Sequence, residues 1–292
     1  MPLVALLSAS GNAAGQTAAN GESNAAVLRD KHAALSQELS KNQYRRPLFL
    51  ESTESGNKVS STAYAVLDSP FSTVGSTLKQ PGLWCEILIL HLNTKYCYAN
   101  ADASAATLTV NIGKKTPQAL ADAFLLDFSY RLIESSQNYL AVQLNADKGP
   151  LGTTDYRLEL QAVPLAEGKT FIYLRYSYGF GSTGRFAMQT YLATLGRGKI
   201  GFTQISQDQK TEFVSGMRGA VERNTMRYYL AIEAYFASLK QPQANQLNTR
   251  LNRWFDATEE YPEQLHEVDK PSYLAMKRDE HKRQQTAPSN AK

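Results

Sequence analysis

Through the middle of the chain, apolar positions recur with a period of two. In FLLDFSYRL, Phe124, Leu126, Phe128, Tyr130 and Leu132 alternate with Asp127, Ser129 and Arg131, the pattern of a strand with one dry and one wet face. DYRLELQAV sets Tyr156, Leu158, Leu160 and Ala162 against Arg157, Glu159 and Gln161. FIYLRYSYGF sets Ile172, Leu174, Tyr176, Tyr178 and Phe180 against Arg175 and Ser177. The connecting segments NADKGPLGTT and PLAEGKT carry the Gly, Pro and Asp chemistry of antiparallel turns. Upstream, RPLFLESTESGNKVSSTAYAVLDSP is broken by SGN into two alternating runs and predicts a hairpin. Together these segments predict an antiparallel meander with a wet outer face and an inner face lined with rings.

Elsewhere the period becomes helical. AAVLRDKHAALSQELSKN predicts a short amphipathic lead-in helix within 27–45. Ser69 and Pro70 open a short helix near 70–80, which Pro81–Gly82 is expected to end, with mostly strand beyond. Residues 213–240 predict a long helix. On it Val214, Met217, Val221, Asn224, Tyr228, Ala231 and Tyr235 recur at three- and four-residue steps and form a stripe expected to lie on the sheet. Residues 241–292 read as a Gln/Asn-rich linker, a helix around 245–258 and a charged, mobile tail. YGFGSTGR (178–185) reads as a mobile loop able to gate a cavity. It lacks the Lys-Ser/Thr ending of a phosphate loop.

A chain of 292 residues with 42% hydrophobic content can bury a sizeable core, and one main domain over 46–240 with flanking segments is expected. Residues 1–26 read as a leader: an apolar run over 3–7, then small residues around 11–14, as in a secretory signal without its positive n-region. The expectation is a periplasmic or otherwise exported protein, with a cytoplasmic one as the alternative if the segment is not a signal. Cys85 and Cys97 fit a disulfide in an exported protein, with two buried thiols as the competing reading. A net charge of +4 spread over this length gives no concentrated basic face, so nucleic acid is not an expected partner. Transient contact with a membrane surface stays open.

Candidate chemistry is sparse. The sequence holds no GxSxG, HExxH, Walker or dinucleotide fingerprint, the histidines are scattered, and neither cysteine has a CxxC neighbour. No cofactor and no metal are implied. His91, in LILHLNTKYCY, is the one histidine inside the predicted core. It is a weak general-base candidate on a strand, where a structural donor is the commoner role. The long helix also carries Arg218, Glu222, Arg223 and Arg227. Arg218 with Glu222 and Arg223 with Arg227 are spaced four apart, and a solvated or salt-bridged outer face is the first expectation, with Asp127 or Glu159 reaching the arginines. A clamp on an anionic head group is the second and catalysis the third.

Hairpin, short helix, long meander and long C-terminal helix is an order that resembles the START-like, polyketide-cyclase (SRPBCC, helix-grip) superfamily. The local cues are YAVLDSPFSTVGSTLKQPGLWCEIL and the helix that follows GKIGFTQ, and the likeness spans about 46–240. The resemblance implies an α+β helix-grip fold, in which a curved antiparallel sheet wraps a long helix around a hydrophobic cavity. It also implies one hydrophobic ligand there: a lipid, sterol, isoprenoid or aromatic compound. Phe128, Tyr130, Tyr156, Tyr176 and Tyr178, with Tyr228 and Tyr235 from the helix, are the expected wall, and Arg223 or Arg227 the group that meets a polar end. For each ring taken singly, plain core packing is the leading reading. A binding or carrier protein is the first functional expectation. A cyclase- or hydrolase-type enzyme using the same cavity and a structural or partner-binding envelope protein are the alternatives.

Overall fold

The computed structural model describes residues 12–100, 105–193, 198–207 and 210–286. The signal-like residues 3–7 lie outside them. In chain order, helices α1 (Asn12–Ala34) and α2 (Ser36–Ser40) lead into the hairpin β1 (Leu48–Ser55) and β2 (Lys58–Leu67). Then follow α3 (Phe71–Leu78), α4 (Pro81–Leu88), β3 (Thr94–Asn100), β4 (Thr107–Ile112), β5 (Phe124–Ser135), β6 (Leu140–Lys148), β7 (Thr153–Pro164) and β8 (Thr170–Phe180). The chain continues through α5 (Ser182–Ala193), a small hairpin of β9 (Gln204–Gln207) and β10 (Lys210–Phe213), α6 (Gly216–Ser238), α7 (Gln243–Glu259), α8 (Pro262–Leu265) and α9 (Lys270–Thr286).

Eight strands form one antiparallel sheet in the order β1-β2-β8-β7-β6-β5-β4-β3. The first hairpin therefore pairs with β8, and α3 and α4 carry the chain from β2 to the far edge at β3. Helix α6 packs on β1, β2 and β8 from the concave side. Inward residues of β4 to β8 also face it, so the sheet grips the helix and the fold class is α+β helix-grip.

The main core lies between sheet and α6. On the opposite face a second cluster joins Ala25, Leu28, Leu35 and Leu39 to Tyr64, Tyr139, Ala141, Val163 and Phe171. The helix expected over 27–45 thus covers part of the outer face, which is wet only elsewhere, and it begins at Asn12, inside the segment read as a leader. On β5 the alternation holds only in part: Leu126 and Tyr130 are buried, while Phe124 and Leu132, expected inside, are exposed.

Three further expectations are corrected. Pro81 does not end a helix but opens α4 at its first turn, where proline's missing N–H costs nothing. Phe180 is followed by α5, so the glycine-rich stretch is in part helical. The helix expected around 245–258 is α7, but the rest of 241–286 is not a linker and mobile tail. Leu251, Trp254, Phe255, Tyr261, Leu265, Tyr273 and Met276 belong to the same hydrophobic core as the sheet, because α7 packs on α6 and α9 on the exposed edge strand β3. Two buried lysines fasten that last helix. Lys277 Nζ donates to the Thr94 carbonyl at 2.7 Å and to Glu280 at 2.7 Å, and Lys95 Nζ reaches the other Glu280 oxygen at 3.0 Å. Cys85 and Cys97 are joined in a disulfide that ties the end of α4 to β3.

Candidate functional site

Between α6 and strands β4 to β8 lies a cavity of about 170 Å3. Its apolar wall comes from positions that alternate along strands: Val110 and Ile112 on β4, Leu126 and Phe128 on β5, Leu144 on β6, and Leu158 on β7. From α6 come Ala220, Arg223, Asn224, Arg227 and Tyr228, at steps of three, one, three and one, a single helical face. Leu88, His91, Asn93, Thr94, Lys115 and Pro150 close it.

The rings pack in order around this space. Tyr156 stacks on Tyr178 at 5.3 Å, and Tyr176 meets Tyr228 edge-on at 5.2 Å. The Tyr156 ring lies so close over the chain before β7 that a Cβ on Gly149 would stand 2.1 Å from it, so only glycine fits there. Its hydroxyl shares a 2.7 Å hydrogen bond with Thr153 Oγ1. Burial pushes the Tyr156 phenol up to about 12, and burial likewise raises Tyr176, Tyr178 and Tyr228. At neutral pH these hydroxyls are protonated and serve as hydrogen-bonding groups rather than nucleophiles.

His91 stands in the turn after α4, not on a strand, with its ring 4.9 Å from that of Tyr228. Its Nδ1 accepts the Asn93 backbone N–H at 3.1 Å, which puts the proton of a neutral ring on Nε2. That Nε2 is buried and has no partner within full hydrogen-bond geometry among the described residues. Burial, and then the nearby cations Arg227, Lys277 and Lys115, hold the imidazole well below its usual range. A hydrogen-bonding interaction with the Asn224 side chain opposes this shift, although no described residue meets Nε2 within full hydrogen-bond geometry. His91 is thus a neutral ring whose Nε2 is a donor, which removes its expected role as a general base.

The helix charges are not an exposed face. Glu222 is fully buried, and it accepts the backbone N–H groups of Phe202 at 2.6 Å and Thr203 at 2.9 Å, and the Ser52 and Thr203 hydroxyls. Arg218 reaches it only through Ser52. Gly201 and Gly219 let that loop come so close to α6: a Cβ on Gly201 would lie 2.5 Å from the Glu222 carboxylate. Arg223 and Arg227 are also buried. Arg223 donates to the Ile200 carbonyl at 3.0 Å, and Arg227 to the Leu265 carbonyl at 3.3 Å.

The acid that meets Arg227 is neither Asp127, which accepts from Thr109, nor Glu159, which accepts from Gln143. It is Glu267, just before α9, whose Oε1 lies 2.8 Å from Arg227 and 2.5 Å from Lys115 Nζ, with Lys199 at 3.8 Å from the other oxygen. Burial alone would raise the Glu267 carboxyl, but Arg227 and Lys115 outweigh it and hold it low. Lys115 is itself pushed down to about 8 by burial and by Arg227.

Of the residues expected at the site, the cavity brings together Phe128, Tyr156, Tyr176, Tyr178, Arg223, Arg227, Tyr228 and His91. Tyr130 and Tyr235 stand elsewhere. The Tyr130 hydroxyl donates to the Leu78 carbonyl under α3, and Tyr235 lies beneath the Arg250 guanidinium at 4.6 Å, facing α7. Lys115, Asn93 and the β4 wall were not anticipated. The alternation of Leu108, Val110 and Ile112 was available as a signal for the wall, whereas nothing in GKKTPQ marks Lys115.

No protein-family model and no curated protein matches the sequence. Among solved structures, the chain is similar to human StAR-related lipid transfer protein 5, with 9% identity over 74% of this chain and 99% of that one, at a TM-score of 0.40. It is also similar to norcoclaurine synthase from Thalictrum flavum, at 13% identity over 51% of this chain and 82% of that one, TM-score 0.34. The di-domain ARO/CYC BexL is a third, at 14% identity over 83% of this chain and 62% of that one, TM-score 0.31.

Proposed function

We propose that this protein binds and carries a small hydrophobic molecule in the cavity between α6 and the sheet. The carrying observation is the space itself: about 170 Å3 left open inside a filled core, apolar over most of its wall, with polar donors gathered on it. A dry cavity of about 150 Å3 accommodates benzene. The occupant is therefore of the order of one ring with a short polar tail, not a two-chain lipid, unless the sheet and α6 part.

Binding is favoured over turnover because no carboxylate is among the described residues that line the cavity, the tyrosines are held protonated, and His91 is held neutral with Nδ1 engaged. Acid–base work needs a group that titrates near the working pH. The partner-binding reading relied on a free C-terminal arm, and α7 to α9 are instead packed into the core. The disulfide supports export to an oxidising compartment. Exposed Leu151 and Phe186 follow closely on Pro150 and Phe180 and support a transient touch on a membrane surface during loading.

The test is native mass spectrometry of the protein taken from its own cells, followed by solvent extraction. A stoichiometric companion of one- or two-ring size is expected and is released unchanged. An empty protein that also fails to take up small aromatic probes sinks the reading.

A further inference from the structure

Resting on that reading, we infer that the cavity's ligand is an anion, a small hydrophobic carboxylate whose oxygens meet His91 Nε2–H, Lys115 and Arg227 while its apolar part lies along Val110, Leu126 and Leu144. Three observations converge on it. Among the described residues, the ionised side chains that line the cavity are Lys115, Arg223 and Arg227, with no Asp or Glu. Behind them one carboxylate, Glu267, is shared by Lys115, Arg227 and Lys199.

The third observation is the His91 ring. It is 3% exposed, its proton is fixed on Nε2 by the Asn93 N–H at Nδ1, and that buried donor is met within full hydrogen-bond geometry by none of the described residues, the Asn224 side chain interacting with it more loosely. A buried donor held short of a full hydrogen bond is destabilising. A ligand oxygen placed there removes that cost. A group that only accepts, carries negative charge and is small enough to leave room for a ring is a carboxylate, which also suits the planar fork of arginine.

The charge state of Lys115 gives the site a pH dependence. Facing it are Arg223 and Arg227 on α6 and Glu267, which Lys199 also approaches. Burial and Arg227 bring the ammonium down to about 8, so the cationic form that attracts the ligand is present below that pH and is lost above it.

Binding is to be measured by calorimetry with benzoate, 3-phenylpropionate and hexanoate, each beside its uncharged primary amide, and with phenyl phosphate. At least one acid is expected to bind ten or more times tighter than its amide, with affinity falling as pH rises through 8 while the amide's stays level. Lys115→Gln should erase most of that preference. Its side chain is 24% exposed and Glu267 keeps Arg227, so folding is expected to survive and is checked by thermal melting. In histidine-labelled protein, the His91 Nε2–H resonance should move on adding the acid. Amides that bind as well as the acids would overturn the inference and leave the carrier reading standing. Binding of phenyl phosphate alone would overturn the carboxylate assignment, and no binding by any probe would overturn both readings.

Discussion

Glu222 shows how far a single side chain can depart from what its neighbours in sequence suggest. Its spacing from Arg218 fits a surface pair worth about 0.3–0.5 kcal/mol. In the structure it is sealed from solvent and caps two backbone N–H groups of the loop before β9. The pairing rule assumes water on that side of the helix, and here a loop brought in by Gly201 and Gly219 occupies it. Glu222→Ala leaves the buried Phe202 N–H and the half-buried Thr203 N–H without this acceptor and is expected to cost about 2–4 kcal/mol, read as a lower urea midpoint. Glu222→Gln should cost less, since one oxygen can still accept. Gly149→Ala works the other way: its methyl group forces the Tyr156 ring off its seat and into the cavity. It should weaken uptake of small aromatic probes at least tenfold with a smaller effect on the melting temperature. Of the site, the rings on β7, β8 and α6 were legible because strand and helix periods put them on inner faces. Lys115 and Glu267 were not, because each stands in a loop and they meet across 152 residues of chain.

At the scale of elements, the hairpin β1–β2, the strands β7 and β8 and the helix α6 were all legible, each carried by an uninterrupted period. Helix α4 was hidden by a proline that can equally end one helix or start the next. Helix α9 was hidden by its charge. KRDEHKR reads as a solvated tail, yet Lys277 and Glu280 on it are buried against Lys95 of β3. Removing residues 241–292 should therefore not give a trimmed, folded domain. It uncovers the α6 face under Trp254 and strands Lys95 without Glu280, and a loss of near-ultraviolet circular dichroism with aggregation is expected. A soluble truncated protein with native spectra would show that α7 to α9 are an appendage. The disulfide closes a loop of 12 residues between α4 and β3. Chain-entropy arguments give it roughly 3 kcal/mol, so Cys85→Ser with Cys97→Ser should lower the urea midpoint by a corresponding amount while leaving the cavity wall in place.

Over the whole molecule, buried lysines and buried tyrosines set opposite trends with pH. Burial lowers Lys115 and Lys277 to about 8, and it lowers Lys95 as well. Between about 8 and 10.4 the unfolded chain holds lysine protons that the native protein has released, so stability rises with pH across that window. Tyrosines behave in the reverse sense. Tyr130, Tyr139 and Tyr156 are raised by burial to about 12, so above about 10 the unfolded chain ionises first and stability falls. The urea midpoint is thus expected to climb from pH 7.5 to about 9.5 and to drop steeply above 10. A flat or falling midpoint between 7.5 and 9.5 would mean the lysines are not held as described. Lys277→Met separates the contributions. The methionine cannot carry the proton, Lys95 keeps Glu280 at 3.0 Å, and the rise should shrink by about one proton's worth of slope, roughly 1.4 kcal/mol per pH unit. The ligand test adds a second handle. A bound carboxylate stabilises the charged form of Lys115 and so shifts the onset of that lysine's rise to higher pH, whereas the share due to Lys277, fixed at the α9 edge, should not move.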